Sequence, residues 1–237
     1  MKRMLAIVTS LLIGGTALAG EATAISIATN GGSSSATATA TGNARSTAIA
    51  GATRGGRAVA NSDAAGRGRG LADSRAVATA DHGLAVSNSA ALADGYLGGD
   101  ALADSESIAA TIGGIATSNS EALADGVIFG TATSRSYSTA LSEFGVASSD
   151  SRAESRGVFG GEAISVSDSL ANTHRGVADS NVHVISDSRF HARAESNGVG
   201  VSVTGRGQHA PARVYAESRA ARGGHSDARS IVVRVRP

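Results

Sequence analysis

Six histidines, His82, His174, His183, His191, His209 and His225, are the side chains of this chain with the widest chemical range. None sits at a metal-ligand spacing from another, so their pattern calls for no metal centre. Asp94, Asp125 and Asp187 recur at matched positions, but Arg156 interrupts the row. A carboxylate row broken by a guanidinium balances charge; it does not pair an acid with a base. No GxSxG, HExxH, phosphate-binding loop or GGxGxD nonapeptide occurs. The expectation is a chain that is not an enzyme and that uses no metal and no cofactor.

The informative spacing is longer. Gly83, Gly114, Gly145 and Gly176 lie 31 residues apart, as do Gly95, Gly126 and Gly157, and Gly99, Gly130 and Gly161. Asn88, Asn119, Asp150 and Asn181 keep the same period. A fixed period of this length marks a repeat architecture whose units stack on one another.

Composition narrows what stacks. The chain has no cysteine and no tryptophan, four Phe and three Tyr, and is dominated by Gly, Ala, Ser and Thr. A core must therefore be built from small side chains, without disulfides. Residues 1–19 read as an export signal: Lys2 and Arg3, an apolar stretch from Leu5 to Ile13, then Ala17-Leu18-Ala19. The apolar run is too short to span a membrane. Cleavage after Ala19 removes Lys2 and Arg3 and takes the formal charge from +1 to −1. Arginine and acidic residues are interspersed, which provides no basic stripe for nucleic acid and no polybasic membrane signal. A secreted protein, extracellular or at the cell surface, is the expectation.

Within each repeat, two stretches alternate strictly. Ala85, Ser87, Ser89, Ala91 and Ala93 share one parity, followed a period later by Ala116, Ser118, Ser120, Ala122 and Ala124. In the second stretch Ser105 and Ser107 are followed by Ser134 and Ser136, then Ser165 and Ser167. The opposite parity varies freely: Arg135, Tyr137, Val166 and Asp168 all occupy it. Side chains alternate across a strand with period two. Constant small residues on one parity thus define a tight inner face, and the other parity an outer one. The predicted fold is all-β: a flattened β-solenoid, or β-roll, of 31-residue coils, each strand, turn, strand, turn, with an Ala/Ser interior. Buried serine hydroxyls need partners, and columns of Ser bonding coil to coil are the expected source. The near absence of proline, confined to Pro211 and Pro237, suits continuous sheet.

The domain reading is a signal peptide at 1–19, shorter or degenerate coils at 20–82, regular repeats at 83–206, and a C-terminal cap or interface strand at 207–237. Stacking turns repeat positions into columns. Asn88, Asn119, Asp150 and Asn181 form an outer polar column, read as an amide ladder in preference to a ligand or metal site. Leu97, Ile128, Phe159 and Phe190 form an apolar column at a turn, read as a small second core beneath it or as a strip for lateral association. Leu84, Ile115, Val146 and Val177 form a similar column at the other edge.

The alternation in ALADG at 91–95 and 122–126 resembles the β-roll head repeats of trimeric autotransporter adhesins, over roughly residues 70–205. The 31-residue period is longer than that family's repeat. The strand-turn-strand units behind an export signal also resemble curli-type functional amyloid subunits, without that family's Gln/Asn-rich signature. These resemblances imply extracellular fibres or surface adhesion. The leading expectation is a structural subunit that assembles with itself end to end, as a matrix, biofilm or surface filament. The alternative is an adhesin-type module that binds a surface or polysaccharide. Ice binding ranks below both, because Thr131, Thr133 and Thr139 occur together in one coil only.

Overall fold

The structure is a computed structural model. It describes residues 13–17, 20–29, 31–68, 70–96, 100–127, 131–158, 162–189, 193–204, 209–221 and 225–235. The Leu97, Ile128, Phe159 and Phe190 column lies outside the described residues.

Parallel strands account for nearly the whole of the described chain. They are β1 (Ile13–Ala17), β2 (Gly20–Ala28), β3 (Ser33–Thr41), β4 (Ala44–Ala52), β5 (Arg57–Gly68), β6 (Leu71–Ala80) and β7 (Gly83–Tyr96). Then come β8 (Ala101–Val127), β9 (Thr131–Val158), β10 (Glu162–Arg189), β11 (Arg193–Thr204), β12 (Ala212–Ala221) and β13 (His225–Val235). The chain winds as a flattened β-solenoid with two broad faces. Face A stacks β1, β3, β5, β7, the second halves of β8, β9 and β10, and then β12. Face B stacks β2, β4, β6, the first halves of β8, β9 and β10, then β11 and β13. Strands β8, β9 and β10 turn a corner without a break.

The register places every repeat position in a column. Asn88 pairs with Asn119, Asn119 with Asp150 and Asp150 with Asn181, each 31 residues on. Toward the N-terminus the coils shorten: Leu71 pairs with Leu102, but Ala44 pairs with Ala72 and Ser33 with Arg57, 28 and 24 residues on. The coils expected to be degenerate at 20–82 are thus regular coils with smaller circumference.

Parity holds along the stack. In β9, Ala132, Ser134, Ser136, Ser138 and Ala140 are buried, while Arg135 is exposed and Tyr137 half-buried. The core is a single run of alanines from Ala22 to Ala178 with serines between them. Near the C-terminus it changes character. Val182 and Val184 enter from face A, and Gly198 and Gly200 face them on face B. A Cβ on Gly198 would stand 3.1 Å from Val182 Cγ1 and 2.8 Å from Val214 Cγ1. Missing side chains on one sheet make room for larger ones on the other, which conserves volume in a close-packed interior.

The serines differ from the expectation. Only Ser134–Ser165, at 3.1 Å, and Ser155–Ser186, at 3.2 Å, bond along a column. Most hydroxyls cross the core to the backbone of the opposite sheet. Ser107 Oγ donates to the Ser87 carbonyl, Ser118 Oγ to Ser107 and Ser138 Oγ to Ser118, at 2.7, 2.7 and 2.6 Å. A second zigzag runs beside it: Ser105 Oγ to the Ser89 carbonyl, Ser120 Oγ to Ser105 and Ser136 Oγ to Ser120, at 2.9, 2.7 and 2.7 Å. Ser165 donates across to the Ile185 carbonyl at 2.6 Å and Ser167 to Ser151 Oγ at 2.7 Å. The reason is distance. Stacked coils stand about 4.8 Å apart, too far for an O–H···O bond of about 2.7 Å between equivalent hydroxyls. With nothing larger than Ser between the sheets, the facing carbonyls are nearer. Each such carbonyl has a second lone pair beyond the one its strand ladder uses.

Candidate functional site

The outer face of the A strands carries the most ordered polar array. Asn88 Nδ2 donates to Asn61 Oδ1 at 2.8 Å, Asn119 Nδ2 to Asn88 Oδ1 at 2.9 Å, and Asn181 Nδ2 to Asp150 Oδ1 at 2.7 Å. Parallel in-register pairing sets this geometry, because an amide can reach across one coil step when its neighbour offers an oxygen. Every donation points toward the N-terminal neighbour. Asp150 has no N–H with which to continue the pattern to Asn119, and there the ladder breaks. Asn61 belongs to the ladder but lies 27 residues before Asn88, outside the 31-residue period.

Beside the ladder runs an outer column of Asp63, Ala90, Glu121, Arg152, His183 and Tyr215. The two columns enclose an open groove of about 490 Å³ along the solenoid axis. Arg152 lies 3.6 Å from Glu121 one coil earlier and also bonds Glu154 on its own strand. His183 stacks on Tyr215 with ring centroids 4.9 Å apart. The Tyr215 hydroxyl donates to Glu217, which holds the Glu217 carboxyl below its usual range and pushes the Tyr215 phenol up. Burial raises Asp63 on the groove wall. The groove can therefore present a row of amides, alternating charges and one aromatic pair to an extended polar ligand.

Face B carries charge in columns as well. Arg45 bonds Asp73 at 2.9 Å and Arg75 lies 3.2 Å from Glu106, each across one coil step. Asp73 stands over Asp104. Asp104 is raised by burial first, then by Asp73, with Arg135 opposing. Burial likewise raises Asp125 and Asp168. Of the recurring acids, Asp94, Asp125, Arg156 and Asp187 do form one column. Among the described residues, no three His, Asp or Glu side chains converge on a metal position, and no helix is long and apolar enough to cross a membrane.

The column Leu84, Ile115, Val146 and Val177 is in register, and Ile115 and Val146 are exposed. At one corner, Ser142, Thr173 and Thr204 stack in a buried column with hydroxyls that find no partner within the protein. At the C-terminal end, β13 pairs only with β11, and Ile231, Val232, Val233 and Val235 are between 38% and 55% exposed. Both parities of β13 face solvent, because no further strand covers it.

Comparison with protein-family models, with curated proteins and with solved structures finds no match to this chain.

Proposed function

We propose that this chain is a secreted structural subunit that assembles end to end with copies of itself into extracellular fibres. The observation that carries the reading is the free edge of β13, lined by exposed Ile231, Val232, Val233 and Val235. An open strand edge is a template for another strand unless something blocks it. Here no proline, bulge or covering element does so among the described residues of β13. At the other end, β2 pairs only with β4 and exposes Ile25 and Ile27. A head-to-tail contact that does not close on itself produces a filament. Sedimentation of residues 20–237 at neutral pH with negative-stain imaging of the pellet tests it. Uniform unbranched filaments are expected; a discrete soluble particle at all concentrations contradicts the reading.

The groove along Asn61, Asn88 and Asn119 favours a second reading, a surface module that binds an extended polysaccharide. Its amides repeat at the coil step of about 4.8 Å, and each retains hydrogen-bonding capacity outward. Binding to immobilised polysaccharides that is lost on Asn119→Leu, with the fold intact, would support this reading over the fibre.

A further inference from the structure

The two central serine zigzags fix how the faces are staggered. Ser118 on face A bonds the preceding face-B half-coil at 2.7 Å, and Ser138 on face B bonds the preceding face-A half-coil at 2.6 Å. Ser149 and Ser169 continue the alternation at 2.7 and 2.6 Å. Equal reach in both directions means that each half-coil climbs by the same amount. The solenoid rises evenly, about 2.4 Å per half-coil, instead of stepping at one corner.

The number of half-coils then matters at a joint between copies. From β2 to β13 there are fifteen, eight on face B and seven on face A. A chain that starts at residue 20 begins and ends on face B. Stacking such chains without rotation would set β13 of one copy against β2 of the next, and leave an empty strand position on face A between β12 and β3. Turning the next copy by half a turn about the axis removes the gap. Its β2 then continues face A on β12, and its β3 continues face B on β13. Strand direction is preserved, because the two faces run oppositely and the rotation exchanges them.

We infer that successive mature copies in the fibre are related by a half-turn, with β2 of one copy paired to β12 of another and β3 to β13. This inference rests on the end-to-end reading and on cleavage after Ala19. The strands are of matched length: β2 and β3 have 9 residues each, β12 has 10 and β13 has 11. The joint would cover Ile25 and Ile27 beside the exposed Tyr215, and give the exposed inner side of Val232 an opposing strand. Strand β1 alters the count. It pairs with β3 from Ile13↔Ala36 to Ala17↔Ala40 and adds a sixteenth half-coil on face A. A chain that keeps it stacks without rotation, β1 on β12 and β2 on β13.

The chain has no cysteine of its own, which makes disulfide mapping direct. Chains of residues 20–237 with Ile25→Cys are mixed with chains carrying Arg213→Cys, Tyr215→Cys or Glu217→Cys on β12. In parallel mixtures the second chain carries Arg229→Cys, Ile231→Cys or Val233→Cys on β13. After assembly and oxidation, a disulfide requires Cα atoms within about 7 Å. A non-reducible-free gel baseline is set by reducing half of each sample. The expected result is a cross-linked dimer with at least one β12 position and with none on β13. In full-length chains that retain residues 1–19, the cross-link is expected to move to the β13 set. Cross-linking of mature chains through β13 overturns the half-turn while leaving end-to-end assembly in place. Filaments that cross-link through neither set overturn the joint. Chains that form no filaments overturn the end-to-end reading on which it rests.

Discussion

Ser136 and Arg135 are neighbours in β9 with opposite fates: one is fully buried between the sheets, the other exposed. Ser136→Arg forces a guanidinium into a gap that holds only Ala and Ser, and removes the bond to the Ser120 carbonyl. An unpaired buried charge should cost more than about 4 kcal/mol and abolish folding, as read by circular dichroism and protease resistance. Arg135→Ser should stay within about 0.5 kcal/mol of the parent, as an ordinary surface change does. Asp150→Asn supplies the missing amide donor between Asn119 and Asp150, completing the ladder from Asn61 to Asn181. A gain of about 1 kcal/mol in chemical denaturation is expected. Asp104 gives a pH test. Burial and the stacked Asp73 raise its pKa in the fold, so the folded state holds the proton more tightly than the unfolded chain. That contribution to stability is present below the ordinary value of 3.8 and is lost as pH rises through the folded value. Asp104→Asn should therefore raise Tm at pH 7, by the equivalent of about 0.5 kcal/mol for a half-exposed like-charge pair. The gain should vanish near pH 3, where the parent aspartate is protonated.

The element scale is where the sequence was most legible and where its silence is most instructive. Alternation of Ala and Ser against a free parity was enough to place the strands, their inner face and the column register of Asn88, Asn119, Asp150 and Asn181, because side-chain direction in a strand depends only on parity. The 31-residue period could not reveal Asn61 or the shorter N-terminal coils, since register there is kept at other offsets. Nor could it reveal the serine zigzags. A period reports which residues stack, not how closely the two sheets approach, and that approach decides which acceptor a hydroxyl reaches. The glycine column is a further consequence of packing. Gly83, Gly114, Gly145 and Gly176 turn the corner with each backbone laid on the one before, and a Cβ on Gly145 would lie 1.9 Å from the Gly114 carbonyl oxygen. Gly145 also adopts φ +139°, which disfavours any side chain. Gly145→Ala should cost about 3 kcal/mol or more, measured by thermal melting. Gly198→Ala should destabilise by about 1–2 kcal/mol by pressing on Val214, and Val214→Ala in the same chain should recover part of the loss, since contacting sites couple.

At the scale of the whole molecule, the solenoid widens from 24-residue coils near β3 to 31-residue coils from β6 onward, and both ends present strands paired on one side only. The ends, and not a pocket, are where this molecule differs most from a closed protein. If copies continue the stack, the fifteen half-coils of residues 20–237 set the length of fibre that each chain occupies, about 36 Å at the ordinary strand spacing. Mass per length of unstained filaments, measured by scanning transmission electron microscopy, tests that claim most directly. One chain per about 36 Å is the value the stacked solenoid requires. One chain per roughly 5–10 Å, as in a cross-β fibre to which each chain gives one or two layers, would contradict it.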